Sequence, residues 1–191
     1  MILEGIVTTL GTTGAVHITP MGPEVDPSIE QMVLKPFQTA QTFGNLRSRR
    51  EGVFHVTDDV LLLAQAAIGA IEPPPHMVPA LKVDGRILSD ACRAYEFRVV
   101  TLDGSSERAR IEVEVLRTVR IRDFFGFNRA KHAVVEAAIL ATRTSFLPLE
   151  EIRSEFRRLA VIVSKTGGEP ERQAFQLLNE HVRALPNKGT E

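Results

Sequence analysis

From Ala109 to Ile121 the chain alternates, with Ile111, Val113 and Val115 set against Glu112 and Glu114. Successive side chains of a strand point to opposite faces, so this period of two demands a strand with one face buried. After Arg122 the period changes. From Asn128 to Thr144 the small and apolar residues Ala130, Val134, Ala137 and Ala141 recur at helical spacing. A chain that is strand-patterned at the front and helix-patterned at the back belongs to the α+β class.

The front reads as about six antiparallel strands in a Greek-key-like order. Residues 2–10 and 15–20 are β-branched runs around Gly11-Thr12-Thr13-Gly14, the pattern of a hairpin. Pro20-Met21-Gly22-Pro23 ends the second strand, because proline lacks the N–H a ladder needs. Residues 24–28 are a polar connection, and Ile29 to Phe37 is the third strand, leaving the sheet at Pro36. Thr42 is placed to cap a short helix over Phe43 to Arg50, closed by Gly52. Val53 to Thr57 is the fourth strand. Asp58 or Asp59 then caps a helix running to Ile71, which Pro73-Pro74-Pro75 stops. Asp84-Gly85 and Leu88 to Ala91 are irregular, and Ala94 to Leu102 and Ala109 to Ile121 complete the sheet. The back is three helices: Asn128 to Thr144, Pro148 to Val163 and Pro170 to Ala184, with a loose tail from Asn187 to Glu191. The division expected is residues 1–125 for the strand domain and 126–191 for a helical subdomain packed on it.

At 191 residues the chain is long enough to bury a core without staples. Its formal net charge of -1 gives no overall field toward nucleic acid or membrane. The single cysteine, Cys92, excludes an internal disulfide and fits a reducing compartment. Met1-Ile2-Leu3-Glu4 has no basic leader, and no apolar run approaches the ~20 residues of a membrane helix. The expected location is the cytoplasm.

Much chemistry is excluded. His17, His55, His76, His132 and His181 show no metal-ligand spacing with one another or with Cys92. There is no nucleophile elbow, no P-loop and no dinucleotide fingerprint. Two polar clusters remain. In the first, Lys35 stands at the exit of the third strand. Thr39, Gln41 and Thr42 precede a helix N-terminus, whose free N–H groups favour an anion, and Asn45 lies one turn in. A solvated lysine beside a well-capped helix explains the same residues. In the second, Asn128 is a good N-cap, yet Arg129 and Lys131 follow in the first turn, where cations oppose the helix dipole unless an anion docks. Pairing with acids such as Glu136 or Asp123 is the alternative. Strand alternation scatters Arg117, Arg120 and Arg122 over two faces, and no aromatic pattern suits base stacking, which argues against nucleic acid.

Taken together, the residues resemble a known family. The hairpin with Pro20-Met21-Gly22, then Lys35-Pro36-Phe37, Thr39-Ala40-Gln41-Thr42-Phe43-Gly44-Asn45-Leu46 and Asp58-Asp59-Val60 look like an uncharacterised family of flavin-binding split-barrel proteins. Phe127-Asn128-Arg129-Ala130, Glu136 to Arg143, and Lys165-Thr166-Gly167-Gly168 look like that family's helical part. The resemblance implies an FMN-binding split β-barrel related to flavin reductase-like and pyridoxamine-phosphate oxidase-like folds. It also implies a homodimer with flavin near the subunit interface. Lys35, Pro36 and Phe37 with Thr39, Gln41, Thr42 and Asn45 would hold the ribityl and phosphate, and Thr19, Pro20 and Met21 would lie near the ring. Asn128, Arg129 and Lys131 would assist. The chain departs from the oxidase-like pattern in having no arginine beside Lys35. Arg47, Arg49, Arg50, Arg129 or Lys131 must then meet the phosphate charge. The implied activity is flavin-dependent oxidoreduction of a small molecule, with an association to methanopterin-dependent one-carbon metabolism. A flavin sensor or carrier, or a cofactor-free interaction protein, is the alternative. His17 and His132 are candidates for acid or base, and neither is assigned.

Overall fold

A computed structural model describes residues 1–186; Asn187 to Glu191, where the tail is expected, lie outside the described residues. By contacts the chain divides into two units. One holds residues 1–57 and 75–124, the other residues 58–74 and the described residues from 125 onward.

The first unit is a seven-stranded antiparallel sheet. Its strands are β1 (Gly5–Leu10), β2 (Val16–Met21), β3 (Glu24–Val25), β4 (Gln31–Leu34), β5 (Glu51–Val56), β8 (Arg93–Asp103) and β9 (Arg110–Arg120). They run in the order β2-β1-β5-β8-β9-β4-β3, so β2 and β3 are the edges. A separate hairpin pairs β6 (Met77–Pro79) with β7 (Arg86–Leu88). The six strands expected from alternation are all present. Beyond them lie β3, within the polar connection, β6, just after the proline-rich stop, and β7, between the irregular Asp84-Gly85 and Ser89. Strands of two or three residues are too short to show a period.

The two longest strands, β8 and β9, shift register between Glu96 and Phe97 and again between Val99 and Thr101. Such bulges bend a strand and increase its twist, so the sheet curls into a half-barrel. Its inner face is filled by Val7, Met32, Leu34, Phe54, Tyr95, Phe97, Val99, Ile111 and Val113. On the outer face Val53 and Ala94 pack under Val83 and Ile87 of the β6–β7 hairpin.

The helix α1 (Gln41–Arg49) closes the inner face with Phe43 and Leu46. Each such side chain contributes about 2 kcal/mol by burial. Its ends differ from those read in the sequence. The N-cap is Ala40, which offers no capping side chain, and Thr42 is already inside the helix. The left-handed residue that ends it is Arg50 (φ 61), not Gly52. Gly52 belongs to β5, and a Cβ there would sit 2.7 Å from the Phe97 ring. Close packing in the barrel, not chain reversal, requires that glycine.

The second unit is helical: α2 (Val60–Ala67), α3 (Arg129–Ala141), α4 (Leu149–Thr166) and α5 (Glu169–Ala184). Asp59 caps α2 by accepting the Leu62 N–H, and Asn128 caps α3 by accepting the Lys131 N–H. The core joins Ala130, Val134, Ala137 and Ala141 of α3 to Ile152 and Phe156 of α4 and Ala174, Phe175 and Leu178 of α5. Helix α2 packs on α3 and α5, so the segment 58–74 groups with helices far along the chain. Its side chains are apolar nearly all round, and a helix of that kind needs partners on several sides.

Candidate functional site

In the sheet unit, cross-strand pairs decide which β2 side chains face inward. Thr19 lies opposite Val7, His17 opposite Thr9 and Met21 opposite Gly5. Val7 belongs to the inner core, so His17, Thr19 and Met21 share the inner face, where α1 also packs. Pro20, opposite Ile6, faces outward. All six residues of β2 are half-buried, as expected of an edge strand at the mouth of a curled sheet. Of the expected ring neighbours, Thr19 and Met21 thus lie on the same side as α1, and the Pro20 ring does not.

The polar residues of the Lys35–Leu46 stretch divide into engaged and open groups. Lys35 is paired with Glu24 of β3. That contact lowers the Glu24 carboxyl below its usual range. The buried Asn45 donates from Nδ2 to the Thr9 hydroxyl at 2.9 Å, tying α1 to β1. Arg49 donates to the carbonyls of Gly11 and Thr12 and pairs with Asp84 at 3.3 Å. Arg50 reaches the carbonyls of Val99 and Val100. Thr39 and Gln41 are exposed at the start of α1. Thr42 is only 2% exposed, and its hydroxyl makes no hydrogen bond among the described residues. The first turn of α1 carries no acid and no side-chain cap. The N–H groups of Phe43 and Gly44 bond back to Ala40, which leaves those of Gln41 and Thr42 for an acceptor.

The crossing from β4 to α1 lies against the tip of the β8–β9 hairpin. The Pro36 carbonyl accepts the Ala109 N–H at 2.9 Å, and the Gln38 side chain donates to the carbonyls of Gly104 and Ser106. The Arg108 guanidinium sits 4.0 Å above the centre of the Phe37 ring and donates to the Lys35 carbonyl. That of Arg47 sits 5.6 Å over Phe43. A Cβ on Gly104 would lie 3.4 Å from the same Phe43 ring. Arg47 and Arg108 make no ion pair among the described residues, and each is held by an aromatic face. Sequence reasoning missed Arg108 and Gln38. Their contacts span 66 residues or more, and no local pattern signals them.

In the helical unit the expected cluster is occupied internally. Asn128 Nδ2 donates to the Thr166 carbonyl at 3.2 Å, linking the start of α3 to the end of α4. Lys131 Nζ donates to the Asp58 carbonyl at 2.7 Å and pairs with Glu171 at 2.9 Å. Burial alone raises the Glu171 carboxyl. The hydrogen bonds from Lys131 and from the Gly168 N–H outweigh that and leave it below the usual range. The partners are therefore Asp58 and Glu171, not Glu136 or Asp123. Arg129 remains exposed, beside Phe127, whose ring edge meets His132 at 5.9 Å. The Asp58 carboxylate accepts the Phe125 N–H at 2.8 Å and shapes the loop before α3.

Among the described residues no group of three or more His, Cys, Asp or Glu could hold a metal ion. No described helix is long and apolar enough to cross a membrane.

Comparison with solved structures finds an FMN-bound protein from Methanosarcina mazei, 22% identical, with a TM-score of 0.81 over 94% of each chain. A 2-nitrobenzoate 2-nitroreductase from Pseudomonas fluorescens matches at 15% identity and a TM-score of 0.53, over 61% of this chain and 64% of that one. An FMN-binding protein from Thermus thermophilus matches at 13% identity and 0.51, over 62% and 70%. These likenesses show the fold, a curled antiparallel half-barrel with helices of the flavin reductase-like type. No curated protein matches the chain. The N-terminal domain of the family "Protein of unknown function (DUF447)" matches residues 3–122 and its C-terminal part residues 128–180, so the chain belongs to the DUF447 family.

Proposed function

We propose that the chain binds FMN and works as a flavin-dependent oxidoreductase. The observation that carries this reading is the uncapped start of α1. Two N–H groups and the Thr42 hydroxyl stand there with no internal partner among the described residues, beside the exposed Thr39 and Gln41. A helix N-terminus of this kind suits a phosphate monoester. Arg47 and Arg108, which make no ion pair among the described residues and are steadied on Phe43 and Phe37, supply positive charge nearby in the fold. They replace the arginine missing beside Lys35, which Glu24 already neutralises. Thr19 and Met21 on the inner face of β2 suit the edge of a flat ring. The FMN-bound family member from Methanosarcina mazei supports the choice of cofactor.

A bound flavin supplies hydride and electron transfer. The protein's own residues do the rest. The α1 N-terminus and Thr42 fix the phosphate, the inner face of β2 orients the ring, and the barrel core excludes water beneath it. A homodimer with flavin near the interface, a cytoplasmic location, and a small-molecule substrate linked to pterin-dependent one-carbon chemistry are the further parts of this proposal. Lys35 and Asn45 serve it indirectly, by fixing β3 and α1. Purified protein reconstituted with FMN tests the reading. Bleaching of the bound flavin by NADH or NADPH, and its recovery on adding an acceptor, marks an oxidoreductase. Tight binding without bleaching by either nicotinamide marks a carrier or sensor instead.

A further inference from the structure

We infer that His17, on the inner face of β2, is the residue that holds the compensating proton when a bound flavin is reduced. This inference rests on the FMN reading above. The geometry separates His17 from the other histidines. His55 has both ring nitrogens occupied, by the Ile6 carbonyl and the Leu88 N–H. His76 is bonded to Ser89. His132 and His181 stand on α3 and α5 of the helical unit. His17 alone is half-buried in the sheet unit with no hydrogen bond to its imidazole among the described residues.

Its setting points toward the candidate site. His17 lies directly opposite Thr9, and the Thr9 hydroxyl is held by Asn45 of α1. Thr19 and Met21 follow on the same face. The elements that pack most on β2 are β1 and α1. Strand β1 carries no titratable side chain, and Glu4 precedes it at the far end of the pairing, near Gly22. Helix α1 offers Arg47 and Arg49, and Arg49 is locked onto Gly11, Thr12 and Asp84. No carboxylate among these groups faces His17 to hold it protonated. Burial lowers its proton affinity below the ordinary histidine value, so it stands neutral at neutral pH, ready to accept a proton.

The charge balance is simple. A reduced nicotinamide delivers two electrons and one proton as hydride and leaves oxidised. The flavin ring gains one negative charge. His17 then takes a proton from water and becomes an imidazolium, which is favoured by the new neighbouring anion. When an acceptor takes the two electrons and the proton of the hydride, the ring loses its negative charge and His17 returns its own proton to water.

Potentiometric titration of FMN-loaded protein between about pH 6 and pH 8, the range in which histidine switches, tests this with the wild type and His17→Gln. The wild type is expected to take up two protons per two electrons and the variant one, so the variant's potential depends on pH half as steeply. Equal slopes in two proteins that both bind FMN overturn the role of His17 and leave the FMN reading standing. Failure of the wild type to bind FMN overturns both. The wild type alone gives a second measurement, by NMR titration of the His17 imidazole. Reduction with dithionite should raise its proton affinity at least tenfold. An unchanged affinity contradicts the inference whatever the variant does.

Discussion

The imidazole of His55 accepts the Leu88 N–H at 3.1 Å and bonds to the Ile6 carbonyl at 3.1 Å. One buried side chain therefore ties β5 to β1 and to the β6–β7 hairpin. The arrangement requires Nδ1 to carry the proton and Nε2 to be bare, which is a neutral ring.

This tie predicts a pH dependence of stability. Burial pushes the His55 pKa from 6.5 down to about 4. Between these values the unfolded chain binds the proton and the folded one does not, so stability falls as pH drops from about 6.5 toward 4. The full contribution is present above that window. The expected loss across it is about 3 kcal/mol. Denaturant unfolding at a series of pH values should show it, and His55→Asn, already weaker at neutral pH, should lack most of the slope.

Lys131 predicts a different fragility. Its ammonium serves the Asp58 carbonyl and the Glu171 carboxylate at once. Lys131→Met removes the cation and leaves the carboxylate nearly buried. The helical unit should lose about 2 kcal/mol, less than for a fully buried pair because Lys131 keeps some solvent. Glu171→Gln in the same background should recover part of the loss, which thermal melting can follow. A loss of FMN with unchanged melting would instead make Lys131 a phosphate ligand.

Much of this organisation was legible in the sequence, and the failures have physical causes. The period of two in β9 and the caps Asp59 and Asn128 located their elements well. Thr42 misled, because a threonine before an apolar run looks like a cap while the backbone begins the helix two residues earlier. Gly52 looked like a helix stop because a glycine needed for close packing and one needed for positive φ are the same letter. Lys35 and Lys131 looked like anion ligands, since their partners Glu24 and Glu171 lie 11 and 40 positions away. Arg108 could not be found at all, as only the fold brings it over Phe37.

Two substitutions in α1 separate stability from binding. A Cβ at Gly44 meets nothing within 4 Å, so Gly44→Ala should stabilise the protein by about 0.5–1 kcal/mol through helix propensity. Asn45→Ala should cost about 1–2 kcal/mol by orphaning the Thr9 hydroxyl. If Asn45 acts through α1 position, FMN affinity should follow this loss and recover in part when Gly44→Ala is added. Chemical denaturation with parallel FMN titration measures both.

The most direct measurement is the affinity of the purified protein for FMN beside that for riboflavin, in the wild type and in Thr42→Val. The valine keeps the shape of the threonine and removes its hydroxyl. The wild type should prefer FMN at least tenfold, and Thr42→Val should narrow this preference without lowering stability. Equal affinity for the two flavins, or a preference that Thr42→Val leaves intact, would contradict a phosphate site at the start of α1.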